Sequence, residues 1–243
     1  MPAILHRTLH PAEPVTRNGA EGAPRAEPRP APLAGRLRGR VAAGICLVVA
    51  GAVVLMGIIT AEAVYPGVYT THNNEVSDLG ATRPPNSIIR QPSARIFNGT
   101  MLVSGALVIA GAAGLRASRL PKKAWVPLAL LGLGTFGVGV FPGDRAPMHG
   151  LFAMLAFVSG GLAAVMLAWV LRAPLRWMSL AFGAVTLGTL VIAMFEDATP
   201  LWDELGDGGI ERWIVYPVAL WLVLTGAHWA GAGREVQAEP AVK

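Results

Sequence analysis

Long apolar runs alternate with short polar connections along this chain. Six stretches carry no charged residue over 19 or more positions: Val41–Ala61, Ile96–Leu115, Ala124–Gly143, Ala146–Leu171, Trp177–Phe195 and Trp213–Gly233. About 20 helical residues, each rising about 1.5 Å, cover the roughly 30 Å hydrocarbon core of a bilayer, and a helix satisfies its own backbone there. The runs therefore predict six membrane-spanning helices, at about 41–63, 96–115, 124–142, 147–171, 177–195 and 212–232. Ala, Gly, Leu and Val dominate with no two-residue alternation, which argues against a β-barrel. The predicted fold class is an all-α integral membrane bundle of six helices.

Pattern within the runs predicts how they pack. The connections between spans three and four, and between four and five, are only a few residues long, which makes those pairs antiparallel neighbours. On span three, Gly132, Thr135 and Gly139 share one face and Gly134 and Gly137 the opposite one, so two helices should approach it closely and it should be central. Thr186, Thr189, Ala193 and Glu196 form a stripe on span five that should face protein. Pro127 and Pro217 are expected in first helical turns, Pro147 starts span four, and Ser93 reads as the N-cap of span two.

Composition agrees with this reading. Of the 243 residues, 53% are hydrophobic and 14% charged, and the mean hydropathy is +0.50. Soluble domains are about a quarter charged. The first forty residues differ in kind, with seven of the 19 prolines, seven arginines and few large apolar side chains. A disordered arm is predicted over 1–40, with a second tail over 233–243. The first apolar run starts at Val41 and is full length, so it reads as a retained helix rather than a cleaved signal. A single cysteine, Cys46 in span one, leaves no intrachain disulfide and no cysteine-based metal site.

Charge orients the bundle. Fifteen of the 20 Lys and Arg fall in the two tails and the segments Arg116–Lys123 and Arg172–Arg176, whereas the other side holds Arg83, Arg90, Arg95, Arg145 and Arg212. The positive-inside rule then places both termini in the cytoplasm, in the cell membrane. Trp and Tyr cluster at the predicted span ends, as an interfacial belt requires. The inner arginines suit anionic lipid headgroups, with no nucleic acid expected as partner. Ten of the 15 Asp and Glu lie on the outer side, for a local charge of 5 − 10 = −5 that favours cations there.

Candidate chemistry gathers at the outer ends of the helices. Glu62, Asn98, His149 and Glu196 each sit at such an end at similar depth, and Asp78, Asp144 and Asp197 lie in the connections above them. If the four ends surround one cleft, these residues converge. His149, Asp144 and Asp78 are then catalytic candidates: a carboxylate orients the imidazole, which activates water against an ester, amide or phosphoester of a lipid. Asn98, Glu62, Glu196 and Asp197 are candidates for ligand binding. Plainer roles stand beside these. Asp144 complements the dipole of the helix that Pro147 starts, His149 rests among headgroups, and Glu62 and Glu196 reach outward past the last turn. Two carboxylates and one imidazole could hold zinc, but only His72 could add a second imidazole, so no metal site is assigned and the cofactor stays open. The chain has no HExxH pair, GxSxG elbow, phosphate loop or dinucleotide fingerprint. Facing histidines for a haem are absent, as is the mid-membrane charge or broken helix of a transport site.

A second polar stretch, EVSDLGATRPPN over Glu75–Asn86, lies in a connection of about thirty residues, longer than a joint requires. It reads as a lid or a short interfacial helix. With Ser77-Asp78-Leu79-Gly80 after span one, Phe97-Asn98 at the start of span two, and Phe141-Pro142 followed by His149 between spans three and four, the chain resembles the bacterial and archaeal membrane proteins grouped as domain of unknown function 998. The resemblance covers about residues 41–232. It implies a six-helix integral membrane protein, points to Asp78, Asn98 and His149, and brings no established reaction. The expected function is therefore a membrane protein whose outward polar pocket binds a lipid or small ligand or supports an envelope complex. A lipid-directed hydrolase is the alternative, and a transporter comes third.

Overall fold

A computed structural model describes residues 31–195 and 200–235. Six α-helices follow one another: α1 (Ala31–Ala63), α2 (Ser93–Ala117), α3 (Lys122–Val140), α4 (Ala146–Ala168), α5 (Leu175–Ala193) and α6 (Pro200–Glu235). Each contains a stretch long and apolar enough to cross a membrane. Among the described residues the other regular elements are two 3₁₀ turns, Val76–Leu79 between α1 and α2 and Gly143–Arg145 just before α4. The protein is thus an all-α, multi-pass membrane bundle.

The helices form a closed ring. Each packs against its neighbours in the chain, and α1 also packs against α6. Lipid tails are as apolar as Leu, so helix association in a bilayer depends on close van der Waals contact, which small residues permit. The closing seam shows this: a Cβ on Gly44 would come within 2.3 Å of the Ala230 nitrogen, and one on Gly226 within 2.6 Å of the Val48 nitrogen. Gly132 and Gly139 lie against α2, Gly134 and Gly137 against α4, so the two small faces of α3 meet two neighbours as the spacing predicts. Yet α3 is one member of the ring rather than a central helix.

Two ends can be told apart. The basic end carries the α2–α3 and α4–α5 connections; the polar end carries the long 64–92 connection and the α3–α4 turn. Toward the basic end the ring is filled by a core that includes Leu47, Leu115, Leu128, Leu167 and Trp221. Trp221 is fully buried, and its indole N–H donates to Ser179 Oγ at 2.6 Å, which explains a tryptophan in mid-span without any ligand. Outside the ring, Ile45, Met56 and Leu151 are each more than half exposed, a surface suited to acyl chains.

Three helices, α1, α2 and α6, outrun the charge-free windows, whereas α3, α4 and α5 end two or three residues before theirs. Residues 31–40 of the arm expected to be disordered are helical, because Pro32 suits a first turn and no later proline interrupts the run into Val41. At the other end, α6 begins at Pro200 and breaks at Gly206 (φ 64°, ψ 174°), a left-handed conformation that favours glycine. A Cβ there would also meet the His72 carbonyl at 2.3 Å. The earlier starts of α3 and α6 move Pro127 and Pro217 out of first turns into helix interiors. Ser93 is likewise no N-cap. Pro92 occupies that position, and the Ser93 hydroxyl donates to the Leu79 carbonyl at 3.3 Å.

Candidate functional site

The Ser77–Gly80 segment plugs the polar end of the ring. Asp78 Oδ2 accepts from the Glu75 backbone N–H at 3.2 Å, closing a capping box around the Val76–Leu79 turn. Glu75 is held by Arg83, whose Nη2 lies 2.7 Å and 2.9 Å from its two oxygens. Leu79 is fully buried beneath the turn. Gly80 lies so close to α2 that a Cβ would fall 2.5 Å from Asn98 Oδ1 and 2.9 Å from the Phe97 ring. Burial raises the carboxyl pKa of both Asp78 and Glu75, in Glu75 against the lowering pull of Arg83.

A residue of α6 fixes this turn from below. Glu211 Oε2 accepts from the backbone N–H groups of Val76 and Ser77, the latter at 3.3 Å. These are first-turn donors that no carbonyl of the turn reaches. The adjacent Arg212 gathers the preceding connection. Its guanidinium pairs with Glu62 at 2.5 Å, donates to Tyr69 Oη at 2.8 Å, and reaches the carbonyls of Thr71, Asn74 and Gly208. Tyr69 Oη in turn donates to the Glu75 carbonyl at 2.9 Å. Sequence reasoning counted Glu211 and Arg212 only as outer charges. The available signal was their place at the very edge of the last apolar run, where a charge needs a partner.

Beneath the turn lies a cavity of about 80 Å³, lined by α1, α2, α3, α4 and α6 but not α5. Its wall runs from Phe97 to Val108 on α2 and from Glu211 to Leu222 on α6, about three helical turns on each. Val54, Ile58, Met101, Val138 and Val218 make it mainly apolar; Ser77, His149 and Glu211 supply polar groups at its capped end. A water needs at least roughly 10–15 Å³ of such space, so the cavity has room for a slender chain segment or a few waters. Beyond Leu131 and Leu222 it gives way to the packed core of the basic end.

His149, buried at 4% exposure, donates from Nδ1 to the Phe141 carbonyl at 2.8 Å. Because a carbonyl only accepts, Nδ1 carries the proton, and Nε2 of the neutral ring keeps its lone pair. The bond ties the first turn of α4 back across the α3–α4 connection, where Phe141 also stacks on Phe152 with ring centroids 5.4 Å apart. Gly143 in that connection touches the capping segment: a Cβ would lie 2.0 Å from the Ala81 carbonyl oxygen. The oriented imidazole is thus held by a backbone carbonyl. No hydrogen bond or ion pair joins it to Asp144 or Asp78 among the described residues.

Asn98 and Asp144 come together elsewhere. Both line an open crevice of about 380 Å³ on the outside of the ring, between the start of α2 and the α3–α4 turn. The candidates therefore divide among three places around one capped end. His149 lies in the cavity wall, Asn98 and Asp144 at the crevice, and Glu62 against Arg212 on the α1–α6 side, with Asp78 inside the cap. His72 is on that last side too, bonded through Nε2 to the Asp203 carbonyl at 3.3 Å, away from His149. Glu196 and Asp197, and with them the end of the span-five stripe, lie outside the described residues. Among the described residues no three His, Cys, Asp or Glu gather where they could hold a metal ion.

The segments that carry the resemblance, Ser77–Gly80, Phe97-Asn98, Phe141-Pro142 and His149, thus form one interlocked set: Gly80 on Phe97 and Asn98, Ala81 on Gly143, His149 on Phe141. No curated protein matches the chain, and no solved structure does. A family described as "Protein of unknown function (DUF998)" matches residues 48–228, from the first helix to the last and through the whole capped end. The chain belongs to that family.

Proposed function

We propose that this is a non-catalytic membrane protein that takes the apolar chain of a lipid or small amphiphile into its ring, with the polar group of that molecule at Ser77, His149 and Glu211. The observation that carries the reading is the cavity itself: a narrow apolar space under a polar cap, walled by five of six helices. Ligand sites are concave and mostly apolar with a few convergent polar groups, and this one follows that pattern. The asymmetry of Lys and Arg supports a placement with both termini in the cytoplasm and the capped end outside, in the cell membrane. The packed core at the basic end speaks against a transport path.

Native mass spectrometry of protein released from its membrane tests the reading. The wild type should retain an amphiphile, and Val215→Phe, which fills the cavity, should lose it while staying folded. Equal retention by both would contradict it. A hydrolase is the second reading, favoured by a His149 tautomer that leaves Nε2 available as a base on a residue of the cavity wall; Asp144 and Asp78 would act through their fields rather than by hydrogen bonds. In that case His149→Gln should abolish release of a cleaved lipid while the intact lipid stays bound.

A further inference from the structure

The crevice outside the ring has a chemistry of its own. Asn98 Oδ1 and Asp144 Oδ1 are both buried, and neither has a hydrogen-bond partner within the chain. Such oxygens are rare in folded proteins, because each forgoes water without gaining a donor. Arg95 and Arg145, both exposed, also line the crevice, yet neither forms an ion pair with Asp144. So acceptors sit in the wall while cations stay at the rim. Ile89 and Leu102 add apolar surface beside them. At about 380 Å³ the crevice falls in the range of roughly 300–1,000 Å³ usual for small-molecule sites.

A ligand that satisfies this arrangement must bring N–H donors and a negative group together. We propose that the crevice binds an ammonium–phosphate pair of the ethanolamine type, with the ammonium donating to Asp144 and Asn98 and the phosphate taken by Arg95 and Arg145. Guanidinium groups match phosphate geometry, and an ammonium supplies three donors to carboxylate and amide oxygens. A primary ammonium fits where a trimethylated one does not, since the methylated form has no N–H. The shared chemistry occurs in a lipid headgroup and in the free phosphate ester. Ile89 and Leu102 would meet the start of a lipid's chains. This site has no lining residue in common with the central cavity, so either assignment can fail while the other stands.

Calorimetric titration of the purified full chain in detergent tests it, using short-chain phosphatidylethanolamine, phosphatidylcholine and phosphatidylglycerol, and soluble phosphoethanolamine. The ethanolamine lipid should bind about ten-fold or more tightly than the other two lipids, the scale of one charge-assisted hydrogen bond. Asp144→Asn should erase most of that preference. Should that variant not fold, Arg95→Gln with Arg145→Gln, both at exposed positions, should weaken binding to a similar degree. Competition by phosphoethanolamine at equal strength supports the free ester as occupant, and lipid binding without such competition supports the lipid. Equal affinity for all three lipids, or binding by none of the probes, or no effect of these variants, would overturn the proposal.

Discussion

Glu211 and Asp78 are carboxylates of the same capped end with different duties, and the difference is testable one side chain at a time. Glu211 accepts two backbone N–H groups from a turn 135 and 134 residues away in sequence. Glu211→Ala leaves both donors without that acceptor, and a buried donor left unpaired costs roughly 1–3 kcal/mol. The amides of residues 76–80 should then exchange with deuterium much faster. Glu211→Gln keeps a carbonyl acceptor and should exchange nearly as slowly as the wild type; equal rates in all three proteins would contradict the assignment. Asp78 and Glu75 carry a pH dependence. Their carboxyl pKa values are raised by burial in the folded protein, so the stability they contribute is complete below the unfolded carboxyl range near about pH 4. It declines as pH rises through the folded values, because the ionised forms are less well accommodated folded than unfolded. Asp78→Asn retains an acceptor for the Glu75 N–H and should flatten the fall in thermal midpoint between about pH 4 and pH 7. An unchanged slope would mean that Asp78 does not titrate with the cap.

At the scale of elements, the ring depends on its closing seam. Gly226 on α6 and Gly44 on α1 bring two backbones together: a Cβ on Gly226 would lie 2.7 Å from the Gly44 carbonyl oxygen as well as 2.6 Å from the Val48 nitrogen. Backbone cannot swing aside as a side chain does, so Gly226→Val must push the helices apart, at a cost of about 1–3 kcal/mol. Thermal unfolding in detergent should show a clear drop for Gly226→Val. Gly231→Ala, on the same helix with nothing within 4 Å of the new Cβ, should show no drop, since alanine is favoured over glycine inside a helix by about 1 kcal/mol. The six helices were legible in the sequence because bilayer thickness imposes a length that each apolar run announces. Their ends were not. Arg36, Arg38 and Arg40 read as tail, yet the backbone continues as helix through them, since a charged side chain ends an apolar window without ending hydrogen bonding. The candidate site was legible by depth: helix-end polarity pointed to His149, Asn98, Glu62 and Asp144, all of which lie at one end. How they divide was hidden. His149 finds a carbonyl eight residues back, Glu62 an arginine 150 residues on, and Glu211 a backbone N–H 135 residues back; no periodicity encodes such partners.

For the whole molecule, the segments that close the polar end are also those to which the proposed function gives recognition. The 76–79 turn covers the polar end of the ring, where Ser77, His149 and Glu211 line the head of an apolar space. The central claim is that a chain enters this interior. An amphiphile carrying a photoactivatable group at its chain end, cross-linked to the protein in a bilayer and mapped by peptide sequencing, tests it most directly. Attachment is expected inside the ring, at Met101, Val108 or Val218. Attachment confined to outward residues such as Ile45, Met56 and Leu151 would contradict it.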